Sequence, residues 1–102
     1  MEQVKVMGME GEVLKIVLSG DIDLSNAEAF YEDVLTAYNA NPANVTFVCD
    51  ALTFIDSTTL GTFVKLLKQM KMNGHTMRLE GLQSKIKKLF VICSLDKIMD
   101  LE

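Results

Sequence analysis

Hydrophobic residues in this chain alternate with polar ones over short stretches near its start and recur at helical spacing further on. Val4, Val6, Val13, Ile16 and Leu18 flank Met9-Glu10-Gly11-Glu12, with a turn at Glu10-Gly11. That arrangement predicts strands at 3–8 and 13–19 joined as a hairpin, although the alternation is too imperfect to say which face stays open. Val45 to Cys49 is a β-branched and aromatic run that predicts a strand at 45–50. Leu60, Phe63, Val64, Leu67 and Met70 then recur every three or four residues and predict a helix at 58–73. The remaining pattern gives a helix at 24–39, a strand at 76–81, a helix at 83–92 and an unassigned tail. The order is β-β-α-β-α-β-α. Each later pair of strands is separated by a helix long enough for a right-handed parallel crossover, so the expectation is an α/β fold with a mixed, mostly parallel sheet. Asn39 to Asn44, with Pro42, is the clearest loop, and no repeat or low-complexity tract divides the chain.

Two loops follow strands and carry polar chemistry. Phe54-Ile55-Asp56-Ser57-Thr58-Thr59-Leu60-Gly61 passes from strand to helix near Asp56 to Thr59. Ser57, at or next to the N-cap, is placed to accept a hydrogen bond from the unpaired amides of the first turn. Those amides and the helix dipole also favour added negative charge, so one serine could serve as both cap and phosphoacceptor. Hydroxyls and carboxylates at such a position more often do no more than start a helix. The other loop, Gly20-Asp21-Ile22-Asp23-Leu24, leaves the second strand. Sites in open sheets with parallel strands form beyond the carboxyl ends of the strands, so Asp23, Asp56 and Ser57 share a surface if their strands are neighbours. Asp56 is equally readable as a helix-start or loop-fixing carboxylate, and Asp23 as the cap of its own helix.

The first of these segments resembles the signature of the STAS domain, typified by bacterial anti-sigma factor antagonists, whose pattern is Asp-Ser-Ser/Thr-Gly-Leu-Gly. Asp56, Ser57, Thr58, Leu60 and Gly61 match it, while Thr59 stands where glycine is usual. That departure bears on local backbone shape and partner fit, because only glycine is sterically free at positive φ. Gly20 to Leu24 is similar to the family's Gly-Glu-Leu-Asp loop and places Asp23 as its acidic residue. Asn73-Gly74, Met77 to Leu79, Gly81-Leu82 and Ile86 to Ile92 resemble the C-terminal half, so the likeness covers nearly all of residues 1–102 as one domain.

The resemblance implies helices packed on one face of the sheet and a partner-switching function. The unphosphorylated domain would bind an anti-sigma factor that is also a serine kinase, releasing a sigma factor. Phosphorylation at Ser57, or alternatively Thr58, would end that binding, and a separate phosphatase would restore it. The implied interface comprises Asp21, Asp23, Asp56, Ser57, Thr58 and Thr59. The alternative is a STAS subunit of a transport or signalling assembly that is never phosphorylated, since a fold does not fix its partner.

Composition narrows the remaining classes. At 102 residues and 49% hydrophobic content, one core is expected. No apolar run approaches the roughly 18 residues that span a bilayer, and Met1-Glu2-Gln3-Val4-Lys5 lacks a signal-peptide start, so a cytoplasmic protein without membrane insertion is expected. Cys49 and Cys93 read as reduced thiols, and the single histidine, His75, leaves no multi-histidine metal site. No cofactor is expected. Neither a Gly-x-Ser-x-Gly elbow nor a nucleotide-binding glycine motif is present, which argues against an enzyme.

Charge is unevenly distributed along the chain. Through Asp56 there are ten acidic and two basic side chains, a balance of −8; from Ser57 onward there are four and eight, a balance of +4, which together give the net −4. Lys65, Lys68 and Lys71 read as a solvated helix face. The acidic total and the lack of aromatic-basic interleaving weigh against nucleic-acid binding. Asp21, Asp23, Glu28, Glu32 and Asp33 are instead candidates to meet a basic protein surface, though a solvated face is the commoner explanation.

Overall fold

The computed structural model describes all 102 residues. Strands β1 (Val4–Glu10) and β2 (Val13–Ile22) form an antiparallel hairpin. Helix α1 (Ala27–Ala40), strand β3 (Asn44–Ile55), helix α2 (Ser57–Met72), strand β4 (Met77–Glu80) and helix α3 (Ser84–Ile92) follow. The strand order is β1-β2-β3-β4-β5, and every pairing after the hairpin is parallel. The expected mixed, mostly parallel sheet is therefore present. The tail left unassigned in the sequence holds a 3-10 turn at Leu95–Lys97 and the edge strand β5 (Asp100–Leu101), too short for periodicity to reveal. Helix α1 begins at Ala27, three residues later than expected, because the chain turns through Asp23 to Asn26 before the helix starts.

The largest difference lies in β3, which runs five residues beyond the expected end at position 50. Val17 of β2 pairs with Val48 and Ser19 with Ala51; Gly20 pairs with Leu52 and Asp21 with Phe54. At each shift β3 carries one extra residue, Asp50 and then Thr53. These bulges reset the pleat, so the inward residues after Phe47 fall at Cys49, Leu52 and Ile55. A strict period of two cannot read that segment as strand.

All three helices lie on one face, tied together by an aromatic chain. Phe47 of β3 meets Phe30 of α1 and Phe63 of α2 at ring-centroid distances of 6.2 and 5.6 Å, Phe30 meets Phe63 at 5.1 Å, and Phe63 meets Phe90 of α3 at 5.4 Å. Each of these rings is fully buried, and pairing of this kind contributes about 0.5–1.5 kcal/mol beyond the burial of area. Around them pack Leu14, Ile16 and Leu18 of β2 and Met77 and Leu79 of β4. The opposite face of the sheet is half-buried and mixed: Val17 pairs there with Val48, and Arg78 reaches Glu80, Asp100 and Glu102 at 3.5, 3.8 and 2.9 Å. With β2 and β3 adjacent and parallel, both polar loops emerge at the same end of the sheet.

Candidate functional site

The start of α2 is built around one carboxylate. Asp56 has an extended backbone and is the N-cap; its Oδ1 accepts the N–H of Thr59 at 3.0 Å, and its carbonyl accepts that of Leu60 at 3.1 Å. Its other oxygen, Oδ2, accepts the N–H of Leu24 from the loop after β2 at 2.9 Å. Asp56 is therefore at once the helix-start and the loop-fixing carboxylate. Ser57 is not the cap: it is the first helical residue, exposed, and its hydroxyl takes no part in the bonds that build this turn. Thr58 beside it is also exposed.

Donors around the Asp56 carboxylate hold its pKa below the ordinary 3.8. The Thr59 amide is the largest influence; partial desolvation opposes it, and the Leu24 amide, the Thr59 hydroxyl and the Thr58 amide add to it. A fixed negative charge therefore stands next to Ser57 at neutral pH.

Thr59 is fully buried, so it offers the site no surface. Its hydroxyl reaches both the Ile22 carbonyl at the end of β2 and Asp56 Oδ1, with one proton between the two acceptors. The residue is helical and has no positive φ, so its backbone does not require glycine, and the threonine hydroxyl adds a tie between α2 and β2.

The facing loop is equally well determined. Asp23 Oδ1 accepts the amide and hydroxyl of Ser25 at 2.9 and 2.6 Å, while its carbonyl accepts the amides of Asn26 and Ala27. Asp23 thus shapes the turn before α1 and does not cap that helix. Asn26 locks the turn from the other side: its Oδ1 accepts the Asp23 amide at 2.8 Å and its Nδ2 donates to the Asp21 carbonyl at 3.0 Å. Asp21 Oδ1 accepts the hydroxyl of Thr53, the bulged residue of β3, at 2.9 Å.

The end of β2, which runs three residues past its expected end at position 19, the turn after it and the start of α2 therefore bring Asp21, Asp23, Asp56, Ser57 and Thr58 to one end of the sheet. Two apolar side chains stand with them that the sequence pattern did not single out: Leu24 is 75% exposed and Phe54 48%. Leu24 was hidden inside a polar loop, and Phe54 was out of phase because of the bulges. A groove of about 390 Å³ runs from Leu24 and Thr58 between α1 and α2, with Glu28 and Glu32 on one wall and Lys65 on the other. Asp33 lies elsewhere, paired with the N-terminal amine at 2.6 Å. His75 is also remote. It follows the far end of α2, about 24 Å along the helix from Ser57, and hydrogen-bonds the hydroxyl of Tyr38, so it cannot act as a base for that serine.

Comparison with known proteins gives this geometry a family. The profile of the STAS domain matches residues 6–102. The anti-sigma-B factor antagonist of Bacillus subtilis (strain 168) is 28% identical over 88 residues, covering 86% of this chain and 80% of that protein. Among solved structures, the Thermotoga maritima protein TM1081 superposes with a TM-score of 0.82 at 21% identity, over 100% of this chain and 80% of its own. The Bacillus cell-fate determinant SpoIIAA in its phosphorylated form gives 0.75 at 18% identity, over 97% and 90%. At these identities the structural likeness speaks for the fold. The chain belongs to the STAS domain family.

Proposed function

We propose that this STAS-family domain is an anti-sigma factor antagonist whose binding face is switched by phosphorylation of Ser57. Unphosphorylated, it binds an anti-sigma factor that is also a serine kinase, so that a sigma factor is set free in the cytoplasm. That kinase, using ATP and Mg²⁺, transfers the γ-phosphoryl group to the Ser57 hydroxyl, and a separate phosphatase later removes it. Thr58 is the alternative acceptor. The antagonist relative in Bacillus subtilis supports the class of partner.

The observation that carries this reading is the exposed Ser57 hydroxyl, uncommitted to the turn, beside the anionic Asp56 carboxylate. Phosphorylation adds about −1.5 to −2 charges there, close to Asp56 and on the same end of the sheet as Asp21 and Asp23. The helix N-terminus tolerates an anion, so the fold persists while the surface offered to a partner changes. Leu24 and Phe54 supply the apolar contact that a charged surface alone would lack.

Calorimetric titration of three forms against the serine kinase that co-purifies with the unphosphorylated chain tests the proposal. Ser57→Ala should bind like the wild type and resist phosphorylation; Ser57→Asp should bind more weakly, and enzymatically phosphorylated protein more weakly still. Peptide mapping should find one phosphate, on Ser57. Equal affinity in all three forms would defeat the switch, and a phosphate on Thr58 alone would move it by one residue.

A further inference from the structure

At the end of α2 remote from Ser57 the helix presents a second surface with no partner in the fold. Its buried side faces the core through Leu60, Phe63, Leu66 and Met70. One step around the helix, Val64, Lys68, Lys71 and Met72 form a stripe at three- and four-residue spacing, separated by a groove of about 540 Å³ from Ile98 of the C-terminal tail, with Leu67 also in its lining. Met72 is 80% exposed and Ile98 42%, so two large apolar side chains stand in water here. A neighbouring depression extends past Leu67 and Lys71 to Lys97 and to Asp100, whose carboxylate is met by Arg78 at 3.8 Å. None of the ion pairs in the structure involves Lys68, Lys71 or Lys97. The surface is thus apolar within and cationic at its border, in a chain of net charge −4.

We infer that this groove docks an acidic amphipathic helix of a partner protein. Apolar side chains of the partner lie on Val64, Met72 and Ile98 while its carboxylates meet Lys68, Lys71 and Lys97. Charge complementarity selects the acidic occupant, and the length of the stripe along α2 suits a helix laid in a groove. Methionine at the exposed end adapts its shape to what it covers. An anionic bilayer is the poorer fit, because a surface that broad meets the net charge of −4 of the whole domain, whereas a single helix meets only the groove.

Lys68 and Met72 lie about 16 and 22 Å along α2 from Ser57. Those spans exceed the screening length of about 8 Å at physiological salt, so a phosphate on Ser57 leaves the groove's affinity unchanged. The groove and the Ser57 face are independent surfaces, and failure of either reading leaves the other standing.

The test uses the whole chain and a fluorescein-labelled helical peptide of about five turns, with leucines on one face and glutamates flanking them. A control peptide carries lysine at every glutamate position. The glutamate peptide should bind about tenfold or more tightly than the control and weaken as salt rises. Amide shift changes should gather on Val64, Lys68, Lys71, Met72 and Ile98, and be absent at Ser57. Lys68→Glu/Lys71→Glu and, with charge unchanged, Met72→Ser/Ile98→Ser should each weaken binding about tenfold while circular dichroism shows the fold intact. Equal binding of both peptides, or shift changes centred on Leu24 and Ser57, would overturn the inference. So would retention on phosphatidylglycerol vesicles without peptide binding, which would assign the groove to lipid. Self-association abolished by Lys68→Glu/Lys71→Glu would likewise overturn it, in favour of a second copy of the chain.

Discussion

Asp56 accepts the backbone N–H of Leu24 at 2.9 Å, joining residues 32 positions apart across the carboxyl ends of β2 and β3. The same carboxylate caps α2 through Thr59, so one side chain aligns two loops and a helix start. A charge added at Ser57 is therefore added next to the group that sets the geometry of the whole surface.

Asp56→Ala should lower the melting temperature more than Ser57→Ala, because the first removes the cap and the link to Leu24 while the second removes a hydroxyl committed to neither. Asp56→Asn should fall between them. Thermal denaturation followed by circular dichroism gives the order, and a greater loss in Ser57→Ala would identify the serine as the cap.

Acid should reveal the same carboxylate. Its folded pKa is depressed, so its stabilising contribution is complete above the ordinary value of 3.8 and disappears as pH falls from there through the lowered folded value. Over that window the stability of the wild type should fall more steeply than that of Asp56→Asn in urea titrations. Parallel pH profiles would show that Asp56 ionisation is not linked to folding.

Thr59→Val should cost about 1–3 kcal/mol, since it leaves the Ile22 carbonyl without its donor in a buried position. Thr59→Ser keeps the hydroxyl and should cost less. Thr59→Gly restores the residue usual in the family and should still destabilise this chain, mainly through the lost hydrogen bond, with only about 0.3 kcal/mol from helix propensity. Urea unfolding of the three variants decides whether the hydroxyl is what matters.

The two thiols should differ sharply in reactivity. Cys49 is fully buried and its pKa is pushed up to about 12, first by desolvation and then by the charges of Asp50 and Glu80, whereas Cys93 is exposed. A thiol-reactive dye at neutral pH should label Cys93 alone in the native protein and both cysteines after unfolding. Native labelling of Cys49 would mean that β3 opens readily.

Gly81→Ala should destabilise by about 1–2 kcal/mol through its left-handed backbone alone. Its φ is +73°, and a Cβ there would lie on the carboxylate of Asp50, the first of the two bulged residues of β3. Adding Asp50→Ala should relieve the collision and leave the backbone cost, a difference that a double-mutant cycle in urea would resolve.

Much of the fold was legible because its longer elements keep a clean period. Leu60, Phe63, Leu67 and Met70 marked α2, and the Glu10-Gly11 turn marked the hairpin. Legibility stopped where period and structure part. Asp50 and Thr53 break the alternation of β3, which hid its last five residues and with them Phe54, and β5 is too short to show a pattern. At the site, residue types pointed to two segments that the fold brings together, but which group caps α2 was decided in three dimensions. Aspartate and serine are comparable N-caps, and only the extended backbone of Asp56 and its second contact at Leu24 separate them.

The spatial order of the strands has a consequence for how the protein is made. Because every strand pairs with its predecessor in the chain, no strand must later be inserted between two already joined. During synthesis the sheet can grow outward from the hairpin, each crossover helix laying down over strands already in place. The Asp56–Leu24 bond becomes possible as soon as β3 has emerged, so the surface beside Ser57 can take shape while the ribosome is still adding the C-terminal third of the chain.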